Sequence, residues 1–259
     1  MTHTTTTDDA ETVSIPAQFR GPPESGNGGY SCGVAAGTLG TDSVVVRLRV
    51  PPPLERPLRV ERGGGSSSLL DGDVVVAEAR SVELDIDAPE PVPYRDAAAV
   101  RDQLDVEGYT AGHPFPTCFT CGPHRGRGDG LQIFPSPVEG GAGLVVSTWV
   151  PEPTFGHDDR TVRDEILWAA LDCPSGLAWM LGDPPGDPAV LGELAVSIHR
   201  RPSVGDRLVV AGWRLEADGR KRHAGSAVWT DDGHLVASGR AVWIVLAGEQ
   251  TATFHAATR

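Results

Sequence analysis

Cysteine, methionine, aromatic residues and long apolar runs are all scarce in this 259-residue chain, and each scarcity excludes something. Four cysteines (Cys32, Cys118, Cys121 and Cys173) are too few for a disulfide scaffold at this length. No apolar run approaches the roughly 20 residues of a membrane-spanning helix. The start, Met1-Thr2-His3-Thr4, has neither the basic nor the apolar segment of a secretory signal, so a cytoplasmic location is expected. Positive charge is short: the formal net charge is -13, which argues against a nucleic-acid partner. No Gly-x-Ser-x-Gly elbow occurs, so an α/β-type serine hydrolase is not expected. What remains, 39% hydrophobic and 22% charged residues, is an ordinary soluble balance.

Residues 1–12, rich in Thr and Asp, have no apolar period and read as a disordered tail. The small apolar stretch from Tyr30 to Leu39 reads as a helix packed tightly against something. Val44–Val50, Leu58–Glu61 and Asp73–Leu84 read as strands, the last two separated by a soft Gly-Ser turn at 63–68. These form an N-terminal block, 13–87. Pro-rich residues 88–117 read as a connector. A second block, 118–248, opens with strands at Leu131–Phe134 and Leu144–Val150. A helix follows from Val162 to Met180, apolar nearly all round and so buried, with a kink expected near Ala170 because Pro174 lacks a donor. Strands at 192–199, 207–215, 222–230 and 234–246 close it, ahead of a tail at 249–259.

The two blocks match each other in order. Tyr30-Ser-Cys32 aligns with Leu171-Asp-Cys173, placing Glu24 opposite Glu165. Arg49 to Val60 aligns with His199 to Val210, and Asp71-Gly-Asp-Val with Asp232-Gly-His-Leu. The first block is truncated, lacking sequence for the two strands that precede the second helix. One buried helix followed by an antiparallel meander, occurring twice, predicts an α+β chain of two antiparallel sheets. Each would wrap a central helix, with their edges joined so that one chain mimics a dimer.

Cys118-Phe-Thr-Cys121-Gly, running to Gly130-Leu131, resembles the lead-in of the hotdog-fold thioesterase-like superfamily. Trp168 to Pro174 and Gly26 to Tyr30 resemble the helix regions of its two-module (double hotdog), actinobacterial-type branch. The resemblance implies hydrolysis of an acyl-CoA or acyl-carrier thioester, a small-molecule acyl thioester as partner, and a cleft between modules. A homodimer of such double units is left open.

Thioester hydrolysis needs an activated water and donors for the oxyanion. The candidates are Asn27, Glu165 and Asp164 as catalytic groups, with Gly28, Gly29, Tyr30 and Trp168 around the oxyanion and substrate. Asn27-Gly28-Gly29 reads equally well as a cap, and Asp164 and Glu165 as dipole complements in a first helical turn. Asp172, inside an apolar stretch, reads as a buried carboxyl bonded to nearby backbone. Cys32 and Cys173 have no neighbouring His and read as inert packing. His113, Cys118, Cys121 and His124 have the residue types of a zinc site, but four ligands within twelve residues are cramped. No metal and no cofactor are therefore assigned. Arg200, Arg201, Arg220, Lys221 and Arg222 could meet a phosphate or simply face solvent. Two alternatives to hydrolysis stand: a non-catalytic acyl or small-ligand binding protein, and a hotdog hydratase or dehydratase using Asp218 and His223.

Overall fold

A computed structural model describes residues 11–141, 143–181 and 188–246. Among the described residues, eleven strands form one antiparallel sheet. The first half contributes β1 (Thr12–Val13), β2 (Ser43–Leu48), β3 (Leu58–Gly63), β4 (Ser66–Asp71) and β5 (Val74–Ser81), with helix α1 (Gly28–Gly37) between β1 and β2. The second contributes β6 (Ser136–Pro137), β7 (Val145–Trp149), β8 (Ala189–Ile198), β9 (Leu208–Asp218), β10 (Lys221–Thr230) and β11 (Leu235–Val245), with helix α4 (Asp164–Met180) between β7 and β8. Two helices of the intervening stretch are α2 (Tyr94–Asp102) and α3 (Val106–Gly112).

The strand order is β1-β3-β4-β5-β2-β8-β11-β10-β9-β7-β6. Read outward from the centre, one half runs β2-β5-β4-β3 and the other β8-β11-β10-β9. The seam is β2 against β8, from Ser43 opposite Ser197 to Arg47 opposite Glu193. β-Branched Val44, Val45 and Val46 line this seam and are buried, as central-strand residues should be.

α4 packs on β7 to β11, and α1 packs on β2, β4, β5 and β8. The two helices also pack on each other. From Ile166 to Ala178 every α4 residue is buried, because sheet covers one side and α1 and the lead-in segment cover the other. α4 runs through Pro174 without interruption. α2 lies on the outer sheet face, where Ala97 joins Val146, Val209, Ala211, Ala227 and Trp229 in a second, smaller core.

Three expectations change. Residues 63–68 are not a soft turn: only Gly64 and Gly65 turn, both with positive φ, and Ser66–Asp71 is a strand. Pairing on both sides, with β3 and β5, overrides the weak strand preference of three serines. Leu131–Phe134 is not a strand. Gln132 has φ 53, and the segment bonds Phe119 and Thr120 instead of a sheet edge. The connector carries α2 and α3. The expected tail reaches too far: Thr12 already pairs with Arg59, while residues 1–10 and 247–259 lie outside the described residues.

Candidate active site

The site forms where α1 begins and α4 passes beneath it. Asn27 caps α1: its Oδ1 accepts the Tyr30 N–H at 2.8 Å. Its backbone N–H donates to the Phe19 carbonyl, which ties the cap to the loop before it. With Oδ1 used as the cap, the amide NH2 faces α4. It donates to Asp172 Oδ2 at 2.8 Å and lies 3.8 Å from Cys118 Sγ.

Asp172 is the one charged residue in the buried run of α4. Its Oδ2 also accepts the Gly29 N–H at 2.9 Å. Its Oδ1 is buried with no hydrogen-bond partner among the described residues. Burial pushes the carboxyl up to about 7, against the opposing pull of the Gly29 N–H and the Asn27 amide. The backbone is held too: Trp243 Nε1 donates to Ser175 Oγ, which donates to the Asp172 carbonyl at 2.6 Å.

Helices α1 and α4 approach closely enough to make these bonds only because Gly29 and Gly33 face α4. A Cβ on Gly29 would stand 2.5 Å from Trp168 O and from Asp172 Cβ, and one on Gly33 would stand 2.5 Å from Glu165 Cα. Asn27, Gly28, Asp172, Cys118 and Cys173 line one end of a cleft of about 330 Å³. The rest is mostly apolar, including Leu48, Pro52, Phe115, Leu191, Trp243 and Ile244. The Gly28 N–H, first of the helix, has no acceptor among the described residues.

The structure redistributes the other sequence candidates. Glu165 and Asp164 do not line the cleft: Glu165 pairs with Arg163, and Asp164 with Arg201, which also reaches Asp42. The cleft carboxylate is Asp172. Tyr30 is buried in an aromatic stack, 3.8 Å from Phe19 and edge-on to Phe119, and Trp168 is buried against α1. Both shape the site without lining it. Arg201 and Arg222 are engaged locally, Arg222 with the Gly219 carbonyl, and Arg49, which borders the cleft, has its guanidinium bonded to Glu78. Asp218 and His223 sit at the β9–β10 hairpin, outside the cleft. Asp172 carried a signal in the sequence, a lone charge in an all-apolar helix, but its partners lie more than 140 residues away in the chain.

The cysteines also regroup. His124 is exposed, while Cys118, Cys121 and Cys173 are buried with their Sγ atoms within 4.8 Å of one another. Cys32 is buried apart from them. Donation from Cys121 and Cys173 pulls the Cys118 thiol well below its usual value.

No protein-family profile matches this chain, and no curated protein matches it by sequence. Solved structures do match. A conserved protein of unknown function with hot dog fold from Alicyclobacillus acidocaldarius is 13% identical, with a TM-score of 0.60 over 96% of this chain and 100% of that one. The chain has a hotdog fold. Two further neighbours agree over most of the length. A candidate thioesterase from Novosphingobium aromaticivorans is 15% identical, with a TM-score of 0.59 over 93% of this chain and 97% of that one. The TesB protein of Mycobacterium avium subspecies paratuberculosis is 15% identical, with a TM-score of 0.54 over 85% and 87%. Within this hotdog fold, no helix among the described residues is long and apolar enough to cross a membrane.

Proposed function

We propose that this chain is a double-hotdog hydrolase of acyl thioesters carried on coenzyme A or a carrier protein, with one working site. The observation that carries the reading is the buried Asp172 held by Asn27 and Gly29, with its second oxygen unpartnered beside an apolar cleft.

The two-module reading rests on register. Leu58 and Leu208 open β3 and β9, and Val74 and Leu235 open β5 and β11 at the same point after an Asp-Gly turn. At the seam, Val45 faces Ala195, the residue that the Leu58-to-Leu208 offset assigns as its counterpart. Counted from the helix starts, which replace the sequence register that set Cys32 against Cys173 and Glu24 against Glu165, Asn27-Gly28-Gly29 corresponds to Arg163-Asp164-Glu165, and Asp172 to Ala36. One helix start is open glycine facing a carboxylate. The other is filled with carboxylates held in ion pairs, and the counterpart of Asp172 there is an alanine, so it offers no free base.

In the working site the thioester carbonyl approaches the start of α1. The Gly28 N–H and the helix dipole stabilise the developing oxyanion. Asp172 takes a proton from the attacking water as the C–O bond forms. The C–S bond then breaks, and the proton passes to the departing thiolate. Asn27 holds Asp172 and caps the helix, so it positions rather than reacts. The mostly apolar wall suits an acyl or aryl group.

A panel of acyl-CoA thioesters, short, long and aromatic, tests this by thiol release. Turnover with at least one member is expected, with a loss of about 100-fold or more in Asp172→Asn. No turnover with any member, alongside saturable acyl-CoA binding, would return the chain to the ligand-binding alternative.

A further inference from the structure

The hydrolytic reading makes no use of the three sulfurs beside Asp172. We propose that Cys118, Cys121 and Cys173 bind a thiophilic divalent cation, zinc above all, through three thiolates.

Geometry points to a metal. All three Sγ atoms lie within 4.8 Å of one another. Cys118 Sγ and Cys173 Sγ are 3.7 Å apart. The edge of a tetrahedron with Zn–S bonds of about 2.3 Å is about 3.8 Å. Two ligands come from a Cys-x2-Cys knuckle, wound tightly enough that a Cβ on Gly122 would stand 2.5 Å from both Cys118 N and Cys118 O. The third comes from the middle of α4. An ion there would join the lead-in segment to the catalytic helix at the wall of the cleft.

His113 has a defined part. Its Nδ1 accepts the Phe115 N–H at 3.1 Å, so in the neutral ring the proton sits on Nε2. That nitrogen lies 3.3 Å from Cys121 Sγ, placing an N–H donor against a thiolate. His113 is thus a donor to a ligand, not a ligand, an arrangement that commonly tunes metal sites. With three protein ligands, the fourth position is open to water or to a molecule entering from the cleft that Cys118 and Cys173 line. Thiolate donors in a tetrahedral set favour zinc over harder cations such as magnesium or calcium.

The test uses the full chain, purified without chelator from zinc-supplemented cells and handled without oxygen. Elemental analysis is expected to find one zinc per chain. After stripping, Co2+ should give a sulfur-to-cobalt charge-transfer band of the intensity of three thiolates, bleached by added Zn2+. Cys121→Ser, which leaves the cleft wall intact, should abolish stoichiometric zinc. His113→Phe should weaken Zn2+ binding roughly 10–100-fold while keeping the band. A titration of four free thiols in denaturant fixes the reduced state. Wild-type protein in that state with less than a tenth of an equivalent of zinc, and no cobalt–thiolate band, overturns the proposal whatever the variants do. Since none of these readouts is thioester turnover, failure here is distinguishable from failure of the hydrolytic reading.

Discussion

At Asp172, desolvation and hydrogen bonding act in opposite directions, and desolvation wins. The native carboxyl titrates at about 7, above its ordinary 3.8. A raised native value means that the protonated form is favoured by folding. Stability is therefore complete below the unfolded value and is lost as pH rises through about 7. The loss is on the order of 4 kcal/mol. Two outcomes follow for this group in the zinc-free chain, since a cation on Cys118 and Cys173 would favour the ionised carboxylate. Hydrolysis should rise with pH through about 7, because the base must be ionised, and a pH profile of kcat/KM checks this. Asp172→Asn should abolish that rise together with the activity, yet melt at a higher temperature than wild type at pH 8. The side-chain carbonyl of the introduced amide can still accept from Gly29 and Asn27, so the variant should fold. A lower melting temperature at pH 8 would mean that the ionised carboxylate is not under strain. Asn27→Ala removes a helix cap and a carboxylate donor together. It should cost about 1 kcal/mol in stability, and its larger effect should fall on kcat.

At the scale of the element, the crossing of α1 and α4 sets the site. Gly33 has no catalytic contact, but its side-chain direction points at the Glu165 backbone. Gly33→Ala would put a methyl 2.5 Å from Glu165 Cα and force the helices apart. The expected cost is about 1–3 kcal/mol, read as a lower urea midpoint, with hydrolysis reduced because Gly29 is carried away from Asp172. Gly37 is the control. It lies in the same helix, and a Cβ there would meet nothing within 4 Å. Gly37→Ala should leave activity alone and stabilise by up to about 1 kcal/mol, through the entropy of the unfolded chain. If both substitutions behave alike, the close approach is not what limits this helix pair.

At the scale of the whole molecule, the seam makes the halves interdependent. β2 pairs with β8, α1 packs on α4, and Arg201 links Asp164 of the second half to Asp42 of the first. Every tryptophan lies in the second half, from Trp149 to Trp243. If the core is continuous, tryptophan fluorescence and far-ultraviolet circular dichroism should give the same urea midpoint, although only the second signal reports on both halves. Separate midpoints would divide the chain into independently folding modules.

The sequence determined what depends on local pattern. Alternating and β-branched runs placed β2, β3, β5 and β7 to β11, and the unbroken apolar face of 162–180 placed α4 inside. The two strand matches between blocks agree with the element starts of the halves, whereas the match of Cys32 with Cys173 does not, because the helix starts set Cys32 opposite Trp168. Ser66–Asp71 and Leu131–Phe134 were misread because pairing partners, not propensity, decided them. The site was legible at one end only. Asn27-Gly28-Gly29 stood out as a helix start, but the sequence pointed to Asp164 and Glu165 as the carboxylates beside it and read Asp172 as a buried group bonded to backbone, whereas Asp172 is the one that meets Asn27. That choice belongs to the tertiary structure. Two glycines let the helices touch, and this contact delivers a carboxylate from one half to a helix end of the other, and Cys173 to the Cys118–Cys121 knuckle. Local sequence encodes neither, because both depend on residues far apart in the chain meeting across a buried surface.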